Sequence, residues 1–296
     1  MRTAVVIPCF NDGSTILEAV ASARAQEPAE IVVVNDGSTD EATLARLRAL
    51  EDDGVRVVHQ ANGGLSAARM AGVAATSAPY VYPLDSDDQL APGALTRLAD
   101  ALDANAEAAV AFGDVEMFGA ADHYFDESAT RLDPWILTYL SVIPASSLVR
   151  RDALLAVGGW QLNEGGYEDW DLWMTFAERG LDGVYAGGLM YRYRVAADPR
   201  MWRRAMAQHD RLVGHLRERH PQLFAERRRN WLRSSARPHE KLLFPLIDAL
   251  PMTLANRQRL WSLVHDPLHI LKPRWRALRA RVMRARATQP TRPAGR

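Results

Sequence analysis

Apolar and polar positions alternate along the first half of the chain in blocks of two lengths. Short apolar runs, TAVVIP, IVVVND, VRVVHQ and YVYPLD, end in clusters of Gly, Asn, Asp or Ser. Between them lie segments with apolar residues at helical spacing: STILEAVASARAQ, EATLARLRALEDD and LSAARMAGVAATS. Continuous apolar strands separated by helices of roughly 12 residues predict a parallel sheet covered by helices on both faces. A further helix is expected from Gly93 to Asn105, followed by a strand, AAVAFGDVEMFG. A loop-rich region then precedes a helical segment starting near Trp135. In EGGYEDWDLWMTFAERG the residues Leu172, Trp173 and Phe176 share one helical face, and GVYAGGLMYRYRV reads as turn and strand.

The pattern changes after Asp198-Pro199. Trp202, Ala205, Met206, His209, Val213 and Leu216 recur at helical spacing among arginines, and two more helical patterns follow, broken by Pro238, Pro245, Pro251, Pro267 and Pro273. The expected organisation is an α/β domain over 1–198 and a basic helical region over 199–296, with the tail ATQPTRPAGR disordered. Charge sharpens that division. Residues 1–200 carry 14 Arg and no Lys against 30 acidic residues, a net −16, and the remainder carries 22 basic against 6 acidic residues, a net +16. The basic part either docks on the acidic one or meets a separate anionic partner. RWRALRARVMRARA places Trp275, Leu278 and Val282 on one face among six arginines, a pattern that fits an anionic membrane surface. Nucleic acid would attract the same charge, but no nucleic-acid fold signature accompanies it.

Composition is that of an ordinary globular protein, 48% hydrophobic and 24% charged. No apolar stretch reaches the roughly 18 residues a membrane span requires. The single cysteine, Cys9, excludes an internal disulfide and fits a reducing compartment. With no leader pattern ahead of TAVVIP, a cytoplasmic location is expected, peripheral at the inner membrane face if the basic helix binds there.

In open α/β sheets ligands bind beyond the carboxyl ends of the strands. Three polar clusters fall there: Asn11-Asp12, Asn35-Asp36-Gly37-Ser38 and Asp85-Ser86-Asp87-Asp88. Three carboxylates within four positions repel one another, and folding alone does not explain them. Magnesium and manganese prefer such hard oxygen donors. Asp85 and Asp87 would face one side if the chain is extended, while Asp87 or Asp88 could instead cap the next helix.

Taken in order, VVIPCFNDGSTILEAV, IVVVNDGSTD, HQANGGLSAARMAG, YVYPLDSDD and VGGW…YEDWDLWMTFAERG resemble glycosyltransferase family 2 over about residues 3–195. The resemblance implies a GT-A fold, a Rossmann-like, mostly parallel sheet with flanking helices, here with a helical C-terminal extension. It implies an inverting sugar transfer from a nucleotide-sugar with Mg2+ or Mn2+. Pro8, Phe10, Asn11, Asp36, Arg69, Asp85 and Ser86 then fall on the nucleotide-sugar. Phe10, where many members carry Tyr, would stack on the base. Asp36 would accept from a uracil-type N–H, which favours a UDP-sugar, although its local alternative is to organise the turn. Arg69 would approach the diphosphate, since a guanidinium donates two parallel charged hydrogen bonds. Met70 replaces a common Asn.

Asp87 is expected on the metal, with Asp85 on the ribose side or on metal waters. Asp169 is the expected base, with Glu168 supporting it or binding acceptor, and Gly166, next to Gly165, allowing close approach. The local alternative makes Glu168, Asp169 and Asp171 favourable charges in a first helical turn. Trp170 would line the sugar pocket or belong to the core. Asp40 is expected to cap a helix, and Ser66 could do so. The processive QxxRW motif is absent; Tyr191-Arg192-Tyr193-Arg194 follows instead, with Tyr191 and Arg192 toward diphosphate or acceptor. A single addition is expected, onto a glycan, lipid-linked or other hydroxyl acceptor. Two alternatives stand beside this reading. A sugar-1-phosphate nucleotidyltransferase would need a basic Gly-rich loop after the first strand, which PCFNDGS lacks. A non-catalytic nucleotide-sugar-binding module would need no base.

Overall fold

The structure, a computed structural model, describes residues 2–120, 123–125, 131–161, 166–195 and 199–266, as backbone alone at 123–125 and 199–206. The first half folds as its pattern predicts. Strand β1 (Thr3–Cys9) leads to α1 (Gly13–Arg24), β2 (Glu30–Asp36) to α2 (Glu41–Asp52), β3 (Arg56–Gln60) to α3 (Leu65–Ala74), and β4 (Tyr80–Pro83) follows. A two-residue strand, β5 (Gln89–Leu90), precedes α4 (Ala94–Ala104), which buries Ala94, Leu95, Leu98, Ala99 and Leu102 as one stripe. Then come β6 (Ala108–Gly119), β7 (His123–Phe125), β8 (Leu148–Arg150), α5 (Arg151–Ala156), α6 (Glu168–Glu178) and β9 (Asp182–Val195). The C-terminal part contributes α7 (Pro199–Arg219), α8 (Pro221–Ala225), α9 (Arg227–Arg233), α10 (Pro238–Asp248) and α11 (Leu254–His265).

The sheet order is β3-β2-β1-β4-β8-β6-β9-β5, with β7 on β6. Strands β3, β2, β1 and β4 are mutually parallel, so their carboxyl ends share one edge. The second half departs from the parallel expectation. Strand β8 lies antiparallel between β4 and β6, and β5 lies antiparallel to β9. The strand–helix alternation that implies parallel crossovers stops after β6, and the sheet becomes mixed there.

Both sheet faces are covered. On β1 the side chains of Val5, Ile7 and Cys9 join a core with α1, α2 and α4, while Val6 points to the opposite core with α3 and α6. Helix α3 crosses β1 so closely that a Cβ on Gly72 would stand 2.2 Å from Val6 Cγ1. Val213, Leu216, Leu223, Phe244, Ile247 and Trp261 from the C-terminal helices join Trp135, Tyr139 and Trp173 in the same core as Val6. The segments that carry Trp202, Ala205 and Met206 side chains, and the basic stretch from Arg274 to Arg286, lie outside the described residues. No described helix is long and apolar enough to cross a membrane.

Three local expectations are corrected. The segment after Trp135 forms only a 3-10 turn, Ile136–Thr138, although Trp135, Ile136, Leu137, Tyr139 and Leu140 are all buried. Distant side chains satisfy its backbone in place of a helix. The Trp170 indole donates to Leu137 C=O at 2.8 Å, Arg227 to Thr138 C=O at 2.8 Å, and Trp173 to Ile143 C=O at 3.2 Å. Second, α10 runs through Pro245 instead of ending there. Proline removes the donor for the Lys241 carbonyl, and the Trp231 indole supplies one at 3.1 Å. Third, AGGL is not a turn before a strand. It lies inside β9, where Gly187 and Gly188 at φ 74° and 71° absorb a register shift against β6.

Helix α6 is tied to the C-terminal helices by a buried polar cluster. Asp171, 1% exposed, accepts from Arg219 Nε at 2.6 Å and from His220 Nε2 at 3.0 Å, and His220 Nδ1 reaches Glu178 at 2.9 Å. Burial opposes the charge on His220, but hydrogen bonds to Asp171 and Glu178 outweigh it and raise its pKa. A raised histidine pKa stabilises fully below the ordinary value of about 6.5 and loses that contribution as pH rises through the folded-state value. His220→Leu is therefore expected to lower Tm by several degrees near pH 6. The gap to the wild type should narrow at alkaline pH in thermal melts across that range. A gap that does not change with pH would exclude a charged His220.

Candidate active site

The strand ends are knitted together by their own polar residues. Asn11, at φ 53°, accepts at Oδ1 from the backbone of Thr39 at 2.7 Å and Asp40 at 2.9 Å. Ser38 Oγ accepts from the Asn11 N–H at 3.0 Å, and Asn35 Oδ1 accepts from the Ser38 N–H at 2.9 Å. Asp40 caps α2 as expected, accepting from Thr43 N–H at 2.8 Å. Ser66 does not cap α3; it lies buried inside the helix, whose cap position is Gly64. Asp36, 3% exposed, accepts from Gln60 Nε2 at 2.7 Å, Gly63 N–H at 2.8 Å and Gly64 N–H at 2.9 Å. It thus holds the β3–α3 loop against the end of β2. Pro8 is buried, whereas Phe10 is half exposed at the same edge.

The acidic loop is a turn closed by Asp88 N–H on Asp85 C=O at 3.1 Å, not an extended chain. Asp85 and Asp87 are nevertheless the partly exposed positions, alternating with buried Leu84, Ser86 and Asp88. Ser86 Oγ donates to Asp12 Oδ2 at 2.9 Å, bringing a fourth carboxylate to the group. Burial, then Asp85 and Asp12, push Asp87 up to about 6. Asp88 caps no helix: α4 starts from Gly93 in the left-handed region. Asp88 instead accepts the Arg194 N–H at 2.8 Å, fixing the loop to β9. Burial and Asp85 push it to about 9, so it is neutral at pH 7. Arg194 Nε also donates to the Asp87 carbonyl at 2.8 Å.

Arg69 joins this loop to α6. Its side chain is fully buried; Nη2 donates to Asp85 at 2.8 Å and Nη1 to Glu168, 99 residues away in sequence, at 2.8 Å. Burial alone would lower its pKa, but Asp85 and Glu168 outweigh this and keep it charged. The resemblance puts Arg69 on a diphosphate. In the structure each of its terminal nitrogens donates to a carboxylate.

Glu168 is buried, and Asp169 beside it is partly exposed at the first turn of α6. Burial and the Glu168 charge push Asp169 up to about 7, against the pull of Trp170 N–H and Arg69. The helix enters through Gly166 at φ 145° and Tyr167 at φ 65°. The Tyr167 hydroxyl and His209 Nδ1 share a hydrogen bond at 2.5 Å, and burial lowers the His209 pKa. Trp170, 3% exposed, belongs to the core. Gly165 lies outside the described residues. Arg192 pairs with Glu116 at 2.7 Å and Gln89 at 2.9 Å, beside buried Tyr191.

Four contributors were not singled out from the sequence. Asp12 follows Asn11 in a motif already noted, Arg194 lies in the YRYR run, and Tyr167 directly precedes Glu168. His209 reads only as one apolar-face position in α7. Among the described residues no group of three or more His, Cys, Asp or Glu forms a metal cage. A Mg2+-like ion needs none, since it commonly takes one or two carboxylates and completes its shell with phosphate and water. The mutual repulsion of Asp12, Asp85 and Asp87 is of the kind such an ion relieves.

Removing one partner of a buried ion pair leaves the others uncompensated. Arg69→Ala strands both Asp85 and Glu168 and is expected to cost about 3–5 kcal/mol. Arg69→Lys should recover only part of this, because one ammonium cannot reproduce the two-pronged contact. Urea unfolding measures both variants. A loss below about 1 kcal/mol for Arg69→Ala would mean that the bridge is not a stabilising element.

Succinoglycan biosynthesis protein ExoO of Rhizobium meliloti is 40% identical over 102 residues, covering 33% of this chain and 29% of that protein. ExoU of the same organism is 37% identical over 140 residues, covering 41% of this chain and 40% of that protein. EpsJ of Bacillus subtilis, described as an uncharacterized glycosyltransferase, is 36% identical over 104 residues, 34% of this chain and 30% of its own. These alignments span well under half of each relative. Staphylococcus aureus TarS 1–349, solved in complex with UDP-GlcNAc, superposes with a TM-score of 0.54 at 19% identity, covering 90% of this chain and 87% of that one. That likeness establishes the fold, a GT-A-type sheet with flanking helices and a helical C-terminal region. Residues 4–153 match the family described as Glycosyl transferase family 2, and the chain belongs to that family.

Proposed function

We propose that the chain moves a single sugar from a nucleotide-sugar, preferentially a UDP-sugar, to an acceptor hydroxyl, with inversion at the anomeric carbon and with Mg2+ or Mn2+ bound. The observation that carries this reading is the Glu168–Arg69–Asp85 bridge, which ties the DSDD loop to the helix that presents Asp169. The nucleotide-sugar is supported by the TarS structures with UDP-GlcNAc and with UDP. A glycan acceptor is supported by the succinoglycan names of two relatives.

In this mechanism the half-exposed ring of Phe10 stacks on the nucleobase. Asp36 has roughly four acceptor positions, of which three are engaged within the protein, leaving one for a base N–H. Asp87 holds the cation, with Asp85 beside it toward the ribose. When bound, the cation places positive charge against the diphosphate. Asp169 takes the proton from the acceptor hydroxyl as its oxygen bonds to the anomeric carbon. The bond from that carbon to the diphosphate oxygen breaks, and its electron pair leaves with the nucleotide. One displacement gives inversion. A base with a pKa near the working pH is the most effective, and burial, then the Glu168 charge, brings Asp169 there. Glu168 itself stays paired with Arg69.

With an acid that must be ionised and a pKa near 7, kcat/KM should fall about tenfold per pH unit below that value and level off above it. Asp169→Asn should lose about 100-fold or more of transfer activity and this acid limb with it. Asp87→Ala should abolish the dependence on added manganese. The assay is UDP release from a panel of UDP-sugars in the presence of acceptor. Full transfer by Asp169→Asn would overturn the base assignment.

A further inference from the structure

Helix α10 is apolar on both sides. Phe244 and Ile247 face inward, and Phe244 stacks on Trp135 with ring centroids 5.7 Å apart. On the outward side Leu242, Leu246 and Leu250 follow at helical spacing and are 64%, 55% and 42% exposed. Trp231 and Leu232 of α9 extend this surface; Leu232 is 70% exposed, and the Trp231 indole bond to Lys241 C=O holds the two helices together. A helix that is apolar all round belongs inside something, and a protruding row of leucines implies a covering partner.

Charge identifies the partner. Arg228, Arg229 and Arg233 are exposed on α9. Between Glu226 and Leu250 the acidic residues are Glu240, buried between Arg237 and His265, and Asp248, paired with Arg227 and Arg257, while Glu226 itself pairs with Arg229. Leucines and a tryptophan bordered by arginines suit the headgroup boundary of an anionic bilayer, where the apolar side chains enter the acyl region and the cations meet lipid phosphates. A symmetric contact with a second copy would set the same arginine rows against each other.

We propose that α9 and α10 form a peripheral docking face for anionic lipid. The face is bolted to the catalytic half. Arg227 donates to Thr138 C=O and Oγ1 at 2.8 Å each, and Asp133 accepts from Ser234 Oγ and Ser235 N–H at 2.8 Å each. The same 131–143 segment receives the Trp170 indole, one residue from Asp169. Docking therefore holds the catalytic helix at a fixed attitude to the bilayer. The lipid contact does not depend on Asp169; its use in reaching a lipid-linked acceptor rests on the transfer reading above.

The test is flotation of the full chain with phosphatidylcholine vesicles, with and without phosphatidylglycerol. Wild type should float only with the anionic vesicles. Leu242→Ser/Leu246→Ser should bind at least about tenfold more weakly, since each buried leucine contributes roughly that factor. Its Tm and UDP release in solution should be unchanged. Arg228→Glu/Arg233→Glu alters no core contact and should also lose binding, which keeps the test decisive if the leucine variant folds poorly. Trp275→Ser/Leu278→Ser, in the basic stretch beyond α11, should retain most binding. Three results would overturn the proposal: no wild-type flotation, flotation carried only by Trp275 and Leu278, or a wild-type dimer that the leucine variant converts to monomer in light scattering.

Discussion

A guanidinium with no contact to solvent stands between two carboxylates from opposite ends of the catalytic half. Arg69 reaches this place because α3 packs tightly on β1, with Gly72 against Val6. Once there it must be neutralised, since an isolated buried charge is prohibitively unfavourable. Asp85 and Glu168 are the groups that neutralise it. The acidic loop and the start of α6 are therefore set by one electrostatic requirement. Neither carboxylate can move far without leaving the cation unpaired.

The same requirement sorts the other carboxylates. Those in direct contact with Arg69 are held in ion pairs. Those one or two residues further on, Asp169 and Asp87, feel burial and then the neighbouring negative charge, and are pushed to about 7 and about 6. Asp88, deeper still, is pushed to about 9 and serves as a neutral fastener to β9. Asp87, Asp88 and Asp169 thus acquire different pKa values from the depth of their burial and the carboxylates beside them.

The C-terminal helices complete the placement of α6. Arg219 and His220 hold Asp171, His209 meets Tyr167, and the apolar contacts of Phe244 and Trp261 support the irregular 131–143 segment beneath. Helix α6 is consequently gripped from the sheet side by Arg69 and from the other by side chains of the C-terminal helices. Such double anchoring suits a group whose reach to a reacting hydroxyl tolerates little displacement.

Local periodicity in the sequence was enough for β1 to β4, α1 to α4, the Asp40 cap and the acidic clusters at the strand ends. Each depends on residues within one or two turns of one another. Family resemblance read from five short motifs was enough to bring the Asp85 and Glu168 regions to one site. Three features depended on the folded chain. The antiparallel insertion of β8 reflects pairing partners that no local pattern encodes. The missing helix after Trp135 and the unbroken helix through Pro245 both come from indole and guanidinium donors supplied by remote residues. The resemblance implies a diphosphate contact for Arg69, and only the folded chain shows it buried between Asp85 and Glu168 as the strut of the site. The physical reason is common to the last two: which group satisfies a buried charge or carbonyl is decided by what the tertiary fold brings into hydrogen-bond reach, and sequence distance carries no information about it.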